Sequence, residues 1–150
     1  CSGNYATVVR EHPALDGFPH EGFCGWQFRR LMEGGGAVQI EANVPFDPIV
    51  DVASAVKCAI RQAALFEYRI GPGRLLTCSF NLTDGDPAAA WLKSRLLRYA
   101  ASGSFQPELC LTLDQLQAVL NAPLLCGEEN TNFARNANDP ASVVSEGEGE

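Results

Sequence analysis

Long apolar runs are the first thing this sequence lacks. Nowhere in its 150 residues do about 18 apolar residues follow one another, so no helix of the chain is expected to cross a membrane. Histidine is scarce. The two that occur, His12 and His20, both precede residue 21, and a hydrolytic triad or a metal site needs such groups to converge with others. No C-x-x-C pair is present, which argues against a structural zinc site. Basic residues are in deficit, 11 Lys and Arg against 18 Asp and Glu, so neither nucleic acid nor an anionic membrane is an expected partner. No Met and no charged-then-apolar leader opens the chain, and no signal peptide is visible. Starting at Cys1, the text reads as part of a longer polypeptide.

The formal charge of −7 is unevenly spread. Residues 128–150 hold Glu128, Glu129, Asp139, Glu146, Glu148 and Glu150 against Arg135 alone. That end is expected to be a disordered acidic tail or linker, leaving residues 1–127 as one α/β domain. With 46% hydrophobic residues, such a domain can bury a core without staples. The six cysteines, Cys1, Cys24, Cys58, Cys78, Cys110 and Cys126, are scattered and mostly set in apolar text. Free buried thiols and a reducing compartment are the expectation.

Read for elements, residues 5–10 predict a short strand. The loop EHPALDGFP follows, kept irregular by Pro13, Gly17 and Pro19. Residues 22–33 predict a short helix gathering Phe23, Trp26, Phe28 and Leu31 on one side, and residues 37–41 a second strand. The segment 49–64 is ambiguous: its alanines favour helix, while Ile49, Val50 and Val52 favour strand. ALFEYRI, then Gly71-Pro72-Gly73, then RLLTCSFNL predict a hairpin whose second strand lies inside the sheet. Asp86 and Pro87 open a helix running towards Gly103, with Trp91 in its core face. Thr112 and Gln115 form a capping box for a last helix.

Candidate chemistry is thin. Gly22-Phe23-Cys24-Gly25-Trp26 approaches a nucleophile elbow, but Trp26 stands where a glycine should be and no His follows to serve Cys24. His12, His20 and Cys24 read as loop residues beside Pro or Gly rather than as a metal cluster. Gly71-Pro72-Gly73-Arg74 enters a strand, whereas a dinucleotide fingerprint needs a third glycine and a helix. Asn81-Leu82-Thr83 matches a glycosylation acceptor at the end of a strand. Asp84 and Asp86 form an acidic pair, of which capping already explains Asp86. Trp26 with Gln27 and the His12-Pro13 loop could recognise a sugar or a partner if exposed; burial of Trp26 is the expected state.

Three stretches, HPALDGFPHEGFCGWQFRRLMEGG, ALFEYRIGPGRLLTCSFNL and DPAAAWLKSRLLRYA, together resemble a known region. It is the C-terminal accessory region of bacterial family 2, beta-galactosidase-like glycoside hydrolases, related to class I glutamine amidotransferases and the beta-galactosidase trimerisation domain. The likeness rests on His12-Pro13, Phe18-Pro19, Trp26-Gln27 and the run from Glu67 to Leu76, and it covers roughly residues 8–120. It implies the C-terminal part of a flavodoxin-like three-layer α/β domain, whose first strands would precede Cys1. It further implies a non-catalytic accessory domain beside an upstream catalytic domain of the same polypeptide, possibly in a homo-oligomer. No catalytic, cofactor-binding or metal-binding residue is assigned, because the amidotransferase elbow and its His are missing. A (β/α)8 glycosidase scaffold of about 250 residues cannot fit here. A carbohydrate- or partner-binding module is the alternative, and a small independent hydrolase the third reading. From the cysteine spacing, mass spectrometry of the unreduced, denatured chain is expected to find most of the six thiols free. Three intact disulfides would contradict that expectation and favour an exported protein.

Overall fold

The computed structural model of the protein describes residues 7–33, 35–53 and 61–121. Strand β1 (Thr7–Val9) leads into a 3-10 turn at Pro13–Leu15, then a second at Trp26–Phe28 that continues as the short helix α1 (Arg29–Met32). Strands β2 (Val38–Gln39), β3 (Val50–Ala53), β4 (Arg61–Ile70) and β5 (Gly73–Cys78) follow, and helices α2 (Pro87–Ala100) and α3 (Leu113–Asn121) end the order. The five strands form one sheet in the order β1-β3-β4-β2, with β5 also paired to β4.

Strand β4 organises the sheet, because every other strand except β1 pairs with it. Its residues Gln62 to Phe66 are all buried, as expected for a strand covered on both faces. The register against β3 skips one residue: Val50 faces Leu65 while Asp51 faces Ala63. Ala64 is therefore bulged out of the ladder, which re-aims the side chains beyond it. Ala64 and Leu65 join one core with Phe18, Phe28, Leu31, Phe80, Leu92 and Leu96. Ala63, Phe66 and Tyr68 join the opposite one with Ile40, Val44 and Leu111.

Local chemistry explains the helices. Asp86 has extended backbone and its Oδ1 accepts from Ala88 N–H at 2.8 Å, with Pro87 in the first turn; both are standard N-terminal devices. Ala89, Leu92, Leu96 and Tyr99 recur at helical spacing and are buried. Thr112 and Gln115 exchange reciprocal hydrogen bonds of 3.0 and 3.2 Å at the start of α3. On the second face, Arg61 donates to the carbonyls of Ala42 and Val44 at 3.1 and 3.0 Å and stacks 4.5 Å from the Phe46 ring centre. That guanidinium fixes the loop between β2 and β3.

Several expectations are corrected. The second hairpin strand does not lie inside the sheet: among the described residues β5 pairs with β4 alone, and Leu75 to Cys78 are only half-buried. The doubly covered strand is β4. Residues 22–33 do not gather their aromatics on one side, since Phe28 and Leu31 are buried while Phe23 and Trp26 are exposed. The ambiguous segment resolves into β3 and the start of β4, with residues 54–60 outside the described set. Trp91 is 42% exposed and rests against Phe18 rather than inside the core. Cys24 and Cys78 are free and half-buried, and Cys110 is free but exposed; Cys1, Cys58 and Cys126 lie outside the described residues, as does the acidic end. The α/β class stands. The named strand pairings, however, are all antiparallel, and among the described residues the one parallel contact is the isolated bridge between Arg69 and Cys110.

Phe28 is fully enclosed and sits 5.0 Å edge-on from Phe18. Truncating such an aromatic removes its transfer energy and leaves a cavity. Phe28→Ala is expected to lower unfolding stability by about 3–5 kcal/mol in urea titrations; a loss within about 0.5 kcal/mol, the range of surface changes, would contradict this packing.

Candidate functional site

The segment from His20 to Gly25 is laid along the outer edge of β1. Val9 N–H donates to Gly22 O at 2.8 Å, and Cys24 N–H donates to Thr7 Oγ1 at 2.8 Å. Gly22 holds φ +82°, a backbone state that side chains resist, which lets the chain turn while its carbonyl meets the strand. His20 Nδ1 accepts from Gly22 N–H at 3.3 Å, and the Gln27 amide donates to Pro19 O. These bonds fix the loop to the sheet without using any apolar side chain.

The tail of α1 is fastened from the other side. Asn81 N–H donates to Leu31 O at 2.7 Å and the Asn81 side-chain amide donates to Glu33 O at 3.0 Å, satisfying carbonyls that a helix end leaves open. Ser79 Oγ donates to Gly36 O at 2.8 Å. A Cβ on Gly35 would come within 2.9 Å of Leu31 O and 3.0 Å of Ser79 O, so the backbones pass too closely for a side chain.

Between these two anchored stretches opens a cleft of about 1010 Å³. Phe23, Trp26 and Met32 supply apolar surface, and His20, Glu21, Gln27, Arg29 and Glu33 supply polar groups. Trp26 is 84% exposed and Phe23 49%. Arg29 lies 5.9 Å from the Trp26 ring centre and its Nε bonds Glu33 Oε1 at 3.0 Å. The expected burial of Trp26 is thus overturned: Phe28 takes the core position two residues on, and the 3-10 turn swings Trp26 outwards. Cys24 also lines the cleft, but burial pushes its thiol up, against a smaller lowering by its contact with Thr7. A raised thiol is a poor nucleophile.

The two histidines separate. His20 joins the cleft, whereas His12 faces a half-buried network that the sequence reading missed. Its Nδ1 accepts from Ala14 N–H at 3.2 Å and its Nε2 lies 3.8 Å from Glu67 Oε1. Tyr99 donates from its hydroxyl to Glu67 Oε2 at 2.9 Å and meets the imidazole edge-on. The signal was Glu67 itself, a carboxylate set mid-strand between buried Phe66 and Tyr68, which requires a partner. Desolvation pushes Glu67 up, partly offset by the Tyr99 hydroxyl; it pulls His12 down and raises Tyr99 far above its ordinary value. The network ties the His12-Pro13 loop to β4 and α2. Of the other sequence candidates, Gly71 to Arg74 form the hairpin turn, Asp84 meets Lys93 at 3.7 Å, and Asp86 caps α2. Among the described residues no group of three or more His, Cys, Asp or Glu is gathered as a metal site.

Residues 4–121 match a family described as a domain of unknown function, DUF8487. The chain belongs to that family. The matched span takes in every element from β1 to the end of α3, including the cleft and the His12–Glu67–Tyr99 network. No curated protein matches the chain.

The network carries a pH signature for this DUF8487 domain. A histidine whose folded pKa lies below its unfolded value of 6.5 leaves stability intact above 6.5 and withdraws it as pH falls through that value. Glu67, raised above 4.5, acts oppositely, the folded form gaining as pH falls towards 4.5. His12→Asn keeps an acceptor for Ala14 N–H but cannot titrate. The variant is expected to lose less stability than the parent between about pH 7.5 and about pH 5.5 in paired urea titrations; parallel losses would remove His12 from this role.

Proposed function

We propose that the domain is a non-catalytic, carbohydrate-binding accessory module of a glycoside hydrolase. The observation that carries the proposal is Trp26, a large aromatic face held 84% exposed at the rim of the cleft. Burying such a ring recovers apolar area and gains stacking, and with Phe23 exposed on the same cleft it forms part of an apolar patch rather than a lone surface residue. Polar groups line the same cleft, with a carboxylate at Glu21, an amide at Gln27 and an imidazole at His20. Mostly apolar walls with a few placed polar groups are the usual make-up of a small-ligand site.

The hydrolase setting draws its support from the sequence likeness to beta-galactosidase-like accessory regions, and the non-catalytic reading from the raised thiol at Cys24, a poor nucleophile. A flavodoxin-like, amidotransferase-like relation belongs to the same proposal. Its support is the helix α2 that follows β5 after residues 79–86 and packs on the sheet. Given the antiparallel pairings here, the parallel strands of such a fold would come from polypeptide outside this domain, where the catalytic carboxylates would also reside.

Isothermal titration of the 150-residue chain against a panel of neutral and acidic oligosaccharides tests the proposal. At least one sugar is expected to bind, and Trp26→Ala to weaken it tenfold or more, which is about 1.4 kcal/mol, with thermal unfolding unchanged. Absence of binding across the panel, or an unaffected Trp26→Ala, would reject it.

A further inference from the structure

Within the cleft, one nearly enclosed side chain keeps a donor without a protein partner among the described residues. The imidazole of His20 is 95% enclosed, its side chain retaining 5% exposure, yet it lines the open cleft. Because Nδ1 accepts from Gly22 N–H, the neutral ring carries its proton on Nε2. The nearest acceptor to Nε2 is Glu11 Oε1 at 3.9 Å, beyond hydrogen-bonding reach. The Glu11 side chain is almost wholly exposed, so that approach does not desolvate or fix it. Nε2–H thus has no protein acceptor within reach among the described residues, and on this cleft it can donate to a ligand.

The charges around it select the ligand further. Arg29, the cation on the cleft, is engaged by Glu33 at 3.0 Å. Glu21 makes no salt bridge among the described residues and lines the same cleft. The net field there is negative and repels carboxylates and sulfates. With its N–H groups turned to Pro19 O, the Gln27 amide leaves its own carbonyl oxygen as an acceptor. One neutral donor, two acceptors and an aromatic face match the alternating hydroxyls and apolar face of a pyranose.

We infer that the cleft takes a neutral pyranose stacked on Trp26, with His20 Nε2–H donating to one ring hydroxyl and Glu21 excluding acidic sugars. This rests on the carbohydrate reading above and adds to it the ligand's charge class and the residue that selects it. The hydroxyl accepts from His20 and donates in turn to Glu21 or Gln27, so no proton is transferred.

Titrations of the full chain with methyl β-galactopyranoside, maltotriose and xylotriose, against digalacturonate and sialyllactose, decide the matter when run beside His20→Asn. Asparagine can accept from Gly22 N–H as an Asx turn but is too short to place a donor at the Nε2 position. The expected result is binding of a neutral sugar, at least tenfold weaker binding of the acidic ones, and at least tenfold loss in His20→Asn with the melting temperature retained. Glu21→Gln is expected to restore part of the acidic-sugar binding. Neutral sugars binding His20→Asn as tightly as the parent, or acidic sugars binding better, would overturn this inference while leaving the Trp26 reading in place. No sugar binding to the parent chain would overturn both.

Discussion

Burial of β4 on both faces is the constraint from which the rest of the domain follows. A single strand must satisfy two cores, and strict alternation would give each face the same share of its side chains. The extra residue at Ala64 breaks that alternation, so that Leu65 turns with Ala64 towards the helical side while Phe66 and Tyr68 serve the other. The small side chain at the bulge matters, since the site is wholly enclosed and has no room to spare. Remove the bulge and every residue beyond it changes face; Glu67 would leave Tyr99 and His12.

From β4 the dependence runs outwards. Strand β3 pairs with it, β1 pairs with β3, and the outer edge of β1 receives the loop that carries His20 and Cys24. On the other flank β4 pairs with β5, and the residues just past β5, Ser79 and Asn81, hold the end of α1. The cleft is therefore bounded by two neighbouring stretches whose anchors, β1 and the residues past β5, are far apart in sequence and lie on opposite sides of one strand. Its shape is inherited from the sheet rather than from its own side chains.

Much of this was legible in the sequence where local chemistry decides. The hairpin is announced by Gly71-Pro72-Gly73, the start of α2 by Asp86-Pro87, and the start of α3 by Thr112 and Gln115, and each forms as those residues dictate. What misled was periodicity applied to short elements. Over residues 22–33 helical spacing groups Phe23 and Trp26 with Leu31, but a 3-10 turn followed by a single helical turn does not keep that spacing. In RLLTCSFNL the apolar run signals a buried strand, yet the neighbour that buries strands on a second edge is a long-range fact. The pairing of Glu67 with Tyr99, 32 positions away, is of the same kind. The likeness to an amidotransferase-like region pointed to helix layered on strand, and gave no hint of ladders that run antiparallel.

The division of duties within residues 23–28 has an evolutionary reading. Phe28 and the backbone of Gly22 and Cys24 hold the fold, whereas Phe23 and Trp26 project from it without supporting it. Substitutions at the two projecting positions are nearly free of folding cost. A lineage can therefore revise what this surface recognises one residue at a time, while the frame that presents it stays under purifying constraint.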